Sequence, residues 1–84
     1  MDIVEARKYL NSLSDQIHFS PSTKCKPSLV GLIRGQFVFI IGKKKLNKEE
    51  IAFSARIKNC LGEVYLVPTL ADLTILTKQR GWHD

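Results

Sequence analysis

Residues 26–43 read KPSLVGLIRGQFVFIIGK, and the rest of the fold can be built outward from them. Residues 28–34 and 36–41 are two apolar runs separated by Gly35. Valine, isoleucine and phenylalanine dominate the second run, and these side chains favour strands. Two short apolar runs that meet at a glycine predict a β-hairpin. Because both runs are almost continuously apolar, we expect the hairpin to form the centre of a sheet that is covered on both faces.

Helical patterns flank the hairpin on both sides. Apolar residues at three- and four-residue spacing predict helices at residues 2–14, 48–61 and 70–78. Asp2 and Thr69 are candidate N-caps for the first and last of these. Asn47 and Glu50 form a capping-box pattern at the start of the middle helix. The apolar residues of that helix are Ile51, Ala52, Ala55 and, towards its other edge, Phe53, Ile57 and Cys60.

Two further segments complete the sheet. Residues 63–67 predict a strand that Pro68 ends, and residues 16–19 are a candidate short strand before a loop at 20–27. A strand reached from another strand through a helix usually lies parallel to it. The sequence therefore predicts one small α/β domain over residues 1–84, of αβββαβα order, with a central mixed sheet.

The composition of the chain limits the classes of function that it can have. The chain has 84 residues, 44% of them hydrophobic and 25% charged, which is typical of a globular domain. No apolar run approaches the roughly 18 residues of a membrane span, and the first residues do not resemble a signal peptide, so we expect a cytoplasmic protein without membrane partners. Cys25 and Cys60 lie far apart without a CxxC motif, which argues against a zinc site.

Lysines cluster at one predicted edge of the sheet. The net charge of +5 favours polyanionic partners such as nucleic acid. If the hairpin forms, the lysines before its first strand and those after its second strand reach the same edge. We call this set the basic face: Lys24, Lys26, Lys43, Lys44, Lys45 and Lys48. It is a candidate DNA contact, and the alternative is a solvated loop, since no aromatic residues are interleaved with the lysines.

Over residues 5–77 the chain resembles a minimal VRR-NUC domain, the stand-alone phage type of the PD-(D/E)xK nuclease superfamily. The resemblance rests on Glu5 in the first helix, Pro27-Ser28-Leu29-Val30-Gly31, Gly35-Gln36-Phe37-Val38, Ile41-Gly42-Lys43, Leu46-Asn47-Lys48-Glu49-Glu50 and Gly62-Glu63-Val64-Tyr65-Leu66-Val67. It implies a PD-(D/E)xK nuclease-like fold with Glu5 and Lys43 as catalytic positions.

Two catalytic acids of the resembled family are replaced. Ser28 stands where the family has Asp, and Ile41 stands where it has Glu. In the family these carboxylates hold magnesium or manganese, and the lysine stabilises the developing charge. Glu5 and Lys43 alone do not satisfy a cation that takes about six oxygen ligands. We therefore expect no metal site and no cofactor, unless Asp15, Glu49 or Glu50 supplies relocated ligands for magnesium or manganese.

Three functions follow as hypotheses. The first is a catalytically impaired nuclease-like protein that binds DNA through the basic face. The second is an interaction module or inhibitor that binds a host protein on a nuclease scaffold. The third is an active metal-dependent endonuclease with relocated ligands.

The resemblance also implies a homodimer. The candidate contacts are Trp82, Leu73 and Leu76, although Trp82 is expected to cap the core of its own chain in preference to a partner. His18 is interpreted as a half-buried strand residue, because no nucleophile can be paired with it.

Overall fold

In the computed structural model, which describes residues 1–83, helices and strands follow the predicted order. The elements are α1 (Ile3–Leu13), β1 (Ile17–Pro21), β2 (Ser28–Ile33), β3 (Gln36–Ile41), α2 (Lys48–Asn59), β4 (Glu63–Leu66) and α3 (Leu70–Arg80). β3 has the predicted bounds. β1 extends two residues further than predicted, so the loop before β2 is confined to residues 22–27.

The four strands form one mixed sheet in the order β1-β2-β3-β4. β1 and β3 run antiparallel to β2, whereas β4 runs parallel to β3. A parallel neighbour requires a crossover connection, and α2 provides it. The central hairpin and the parallel last strand are therefore confirmed.

The hairpin turn consists of Arg34 and Gly35, whose φ angles are 51° and 83°. A two-residue turn with positive φ at both positions matches the right-handed twist of the flanking strands. Glycine adopts this conformation at little cost, whereas arginine does not. The tight turn fixes the register, so that Ser28 and Ile41 are paired at the far end of the hairpin.

Helices α1 and α3 cover one face of the sheet. The Tyr9 hydroxyl on α1 lies 2.9 Å from the Thr77 hydroxyl on α3, so the two helices lie side by side. Val38 and Ile40 alternate along β3 and both point into the core on this face. The buried core residues are Ala6, Leu10, Ile17, Phe19, Leu29, Ile33, Val38, Ile40, Val67, Leu73 and Trp82.

Trp82 closes this core after the last helix. Gly81 ends α3 in the left-handed conformation, and the Trp82 ring then packs edge-on against Tyr65 at a centroid distance of 5.7 Å. The predicted capping role of Trp82 is confirmed. As dimer contacts, Trp82 and Leu73 were the wrong choice, because both are buried within their own chain, and Leu76 is partly buried against the same core.

Helix α2 covers part of the opposite face. Phe53 packs edge-on against Phe39 of β3, with ring centroids 5.3 Å apart. The side turned to the sheet repeats at helical spacing and consists of Glu50, Phe53, Ser54 and Ile57. Ile51, Ala52 and Ala55 are exposed instead. The apolar residues therefore did not identify the buried side, because two of its four positions are polar.

The outer edge of β1 is occupied by side chains of α1. The Asn11 amide accepts a hydrogen bond from the Phe19 N–H at 2.8 Å and donates one to the Phe19 carbonyl at 3.2 Å. Arg7 Nε donates to the same carbonyl at 3.1 Å. The backbone of the edge strand is thus paired in the middle of its outer side.

Candidate functional site

The register of β2 and β3 places Ser28 opposite Ile41, the two positions at which the resembled family has acids. Ser28 and Ile41 are paired, and residues directly opposite in a sheet point to the same face. Only 1% of Ser28 and 0% of Ile41 is exposed. The Ser28 hydroxyl donates a hydrogen bond to the Lys24 carbonyl, so the chain between β1 and β2 folds back over this end of the hairpin. A hydroxyl that is already bonded and an aliphatic side chain offer no ligand set to a hard cation.

The pairing of β2 with β3 brings the two chain segments that carry the basic face to one end of the sheet. The Gly42 N–H donates to the Pro27 carbonyl at 2.7 Å, which continues the pairing one residue beyond the strands. The lysines on either side therefore meet at one edge of the sheet. Five of the six are exposed, and only Lys43 is half-buried.

Lys43 has a partner that the sequence did not reveal. Its ammonium nitrogen lies 2.5 Å from Oε2 of Glu50, and Oε1 of Glu50 accepts the Asn47 N–H at 3.0 Å. Asn47 in turn accepts the Glu50 N–H at 2.9 Å, which completes the predicted capping box. The hydrogen bond from Lys43, and next the one from Asn47, lower the pKa of Glu50. Both carboxylate oxygens are therefore engaged within the protein.

The candidate relocated ligands do not come together. Asp15 lies near the hairpin turn, in a cavity with His18 and Leu32, at the other end of the sheet from Ser28. Glu50 is engaged by Lys43, and Glu49 is exposed. Within residues 1–83, no group of three histidine, cysteine, aspartate or glutamate side chains is arranged to hold a metal ion.

Within the described residues, Glu5 forms no ion pair with Lys43. It lies in the first turn of α1, which covers the face opposite to α2, and its backbone N–H donates to the Asp2 cap. Its side chain is exposed and makes no ion pair with any residue in the described part of the chain. Lys43 comes two residues after β3, at the Ser28 end of the sheet, and α1 begins at the same end, where Ile3 lines a cavity with Ser28.

A cavity of about 380 Å³ opens beside this end of the sheet, between the 22–27 loop and α2. Its lining consists of Lys24, Cys25, Glu49, Glu50, Ala52, Phe53 and Arg56. Burial, and next the charge of Glu50, raises the pKa of the Cys25 thiol, against the smaller opposing effects of Lys43 and Lys24. The wall that Cys25 forms is therefore uncharged at neutral pH.

Sequence reasoning missed the cavity, although part of its signal is present. Glu49, Phe53 and Arg56 recur at four- and three-residue spacing, which places them on one side of a helix. The other wall comes from the 22–27 loop, whose path depends on a contact between Ser28 and Lys24. His18, interpreted as half-buried, is exposed on β1, because α2 does not extend over that strand.

The described residues include no helix with both the length and the apolar character needed to cross a membrane. Comparison of the chain with protein-family models, with curated proteins and with solved structures finds no match in any of the three.

Proposed function

We propose that the protein binds DNA through the basic face, on a nuclease-like scaffold that does not cleave its ligand. One observation carries the proposal. The same strand pairing that gathers six lysines at one edge also buries Ser28 and Ile41 at the positions where the resembled family holds its metal. The αβββαβα order and the central mixed sheet are what the resemblance to VRR-NUC domains implies, and they support this assignment.

The exposed lysines supply the affinity. Five lysines with free ammonium groups, on a chain of net charge +5, attract the phosphate backbone of DNA without reading its sequence. Lys43 is held by Glu50 and contributes less than its neighbours. Binding of this kind releases counterions, so its affinity falls steeply as salt rises.

Hydrolysis by the family mechanism lacks its ligands. Such a reaction uses a divalent cation to activate water and to stabilise the leaving oxygen. The paired positions present a hydrogen-bonded hydroxyl and an aliphatic side chain, and Glu50 has both oxygens engaged. Magnesium or manganese should therefore produce no cleavage of single-stranded, duplex or branched DNA.

Fluorescence anisotropy with labelled DNA tests the binding. We expect the parent protein to bind at about 50 mM salt and to lose most of its affinity at about 200 mM. The double variant Lys44→Glu/Lys45→Glu should bind far more weakly to DNA of any sequence. Lys8→Glu/Lys78→Glu is the matched control, because it changes the net charge equally on α1 and α3, on the other face. If the two variants lose the same affinity for DNA, the effect comes from net charge alone and not from the basic face.

Cleavage is tested in the same samples. Incubation with magnesium or manganese, with and without a chelator, should leave every DNA substrate intact. Cleavage that the chelator abolishes would contradict the proposed function and would favour the hypothesis of an active metal-dependent endonuclease.

Binding to a protein is the second candidate function. One observation favours it: Leu32 and Phe37 are paired across β2 and β3 near the hairpin turn, and both are exposed on the face that α2 leaves partly bare. It takes first place if the parent protein binds no DNA at about 50 mM salt.

The homodimer stays a prediction, now without the contacts first named for it. Sedimentation at high micromolar concentration measures it directly. A single species of 9.5 kDa would contradict it.

A further inference from the structure

The cavity between the 22–27 loop and α2 has the composition of a site for a small organic anion. Its volume of about 380 Å³ lies within the range of about 300–1,000 Å³ that is usual for ligand pockets. Ala52 and Phe53 contribute apolar surface, and the protonated Cys25 adds an uncharged wall. Lys24 and Arg56 contribute positive charge.

The charges of the lining favour an anion. Glu50 is compensated by Lys43 and by the Asn47 N–H, so it adds little negative potential. Glu49 is then the one uncompensated acid among the lining residues, against the two cations Lys24 and Arg56. The guanidinium of Arg56 can bind two phosphate oxygens at once, which gives orientation as well as attraction.

An aromatic ring lines the same cavity as these two cations. The Phe53 ring is half-buried, and its edge-on contact with Phe39 fixes its orientation. Aromatic rings beside basic groups bind single-stranded nucleic acid by stacking on the bases. The spacing of Phe53 and Arg56 places both on one side of α2, whereas Lys24 comes from the separate 22–27 loop.

We propose that this cavity receives one unpaired nucleotide of the bound DNA, with its base against Phe53 and its phosphate on Arg56 and Lys24. The proposal rests on the proposed function, since the basic face must hold the rest of the strand. Lys24 belongs both to the basic face and to the cavity, so the two surfaces are continuous. A strand that follows the lysines can therefore place a nucleotide in the cavity.

This arrangement discriminates between forms of DNA. Bases within a duplex are stacked and paired, and extracting one breaks both the stacking and the pairing. A single strand, or the overhang of a duplex, offers its bases without that cost. The protein should therefore prefer DNA with unpaired nucleotides, whereas the basic face alone binds both forms through their phosphates.

Anisotropy titrations with three ligands test the proposal: a short single-stranded oligonucleotide, the blunt duplex of the same sequence, and that duplex with an overhang. The parent protein should bind the first and third more tightly. Phe53→Leu and Arg56→Gln should each lower the affinity for the single strand about tenfold and change that for the blunt duplex by less than about twofold. Lys58→Gln is the matched control, because it removes one charge from the same helix outside the cavity.

The outcomes separate this inference from the proposed function. If both cavity variants bind the single strand as the parent does, while Lys44→Glu/Lys45→Glu loses it, the inference is overturned and the proposed function stands. If Arg56→Gln lowers the affinity for both forms of DNA equally, Arg56 is only one more phosphate contact like the lysines of the basic face. The inference is then overturned as well. If the parent protein binds no DNA, both the inference and the proposed function are overturned. Arg56 is exposed, so its variant reports on binding even if Phe53→Leu destabilises the chain.

Discussion

The residue pairs at the two ends of the central hairpin point to the same face of the sheet, but they differ in how far they are exposed to solvent. At one end Ser28 and Ile41 are 1% and 0% exposed, whereas at the turn Leu32 and Phe37 are 49% and 37% exposed. The strands are continuous between them and similarly apolar. What differs is the covering: the 22–27 loop folds over the first end. At the second end α2 and the turn after it reach only Phe37, through Ile57 and Gly62, and they leave Leu32 uncovered. Burial along these strands is therefore decided by their connections.

The largest test of this contrast introduces the same charge at both ends. Ile41→Glu places a carboxylate in a fully buried position, so we expect the free energy of unfolding to fall by more than about 3 kcal/mol. Leu32→Glu, on the same face, should change it by less than about 0.5 kcal/mol, because the new side chain reaches water. Urea denaturation followed by circular dichroism measures both. Similar losses in the two variants would show that both ends are closed.

The second test opens the covered end without adding charge. Ser28→Ala removes the hydrogen bond to the Lys24 carbonyl, and we expect a loss of about 1–2 kcal/mol in the free energy of unfolding. The loop should also become more mobile, so that an aromatic disulfide reagent reacts faster with Cys25. Cys60, which is exposed at the end of α2, serves as the internal control and should react at an unchanged rate. A Cys25 rate equal to that of Cys60 in the parent would contradict the covering.

The third test uses pH on the ion pair beside the covered end. The hydrogen bond from Lys43 lowers the pKa of Glu50 below its ordinary value of 4.5. The stability that this shift contributes is therefore complete above that value, and it is lost as the pH falls towards the lower pKa of the folded state. Urea midpoints should fall on acidification, and the fall should be smaller in Glu50→Gln, which keeps the capping geometry. An identical pH profile in the variant would exclude a contribution from this pair.

The smallest test concerns the open end. Leu61 follows α2 with a φ of 64° and is 85% exposed, so it carries backbone strain with little packing in return. Leu61→Gly should raise the free energy of unfolding by about 0.5–1 kcal/mol, since glycine adopts this conformation without a steric cost. Thermal denaturation measures the gain. A lower melting temperature would mean that the Leu61 side chain packs against the rest of the chain after all.

Local signals in the sequence predicted most of the fold. The bounds of β3, the caps at Asp2, Asn47 and Thr69, and the parallel last strand all follow from neighbouring residues or from a general rule of chain connection. The hairpin itself was predicted, but not its two-residue turn, because Arg34 was placed in the strand and lies in the turn instead. The hairpin alone made the gathering of lysines at one edge predictable.

The details of the candidate site depend on contacts between separate segments. The capping box indicated that Glu50 faces Asn47, but it gave no sign that the other oxygen binds Lys43. The side of α2 turned to the sheet includes Glu50 and Ser54, so hydrophobicity did not identify it. Leu73 was misjudged as a surface contact because an apolar residue in a last helix has the same sequence pattern whether it packs inward or outward.

The amide of Asn11 has a consequence for how this protein behaves at high concentration. Its oxygen and nitrogen pair with the N–H and carbonyl of Phe19 in the way that a neighbouring strand would. A strand from another molecule that approached β1 would have to displace this amide, and the Arg7 contact as well, before it could extend the sheet. The β1 edge of the sheet is thereby protected against edge-to-edge pairing into fibrils by two side chains of the chain's own first helix.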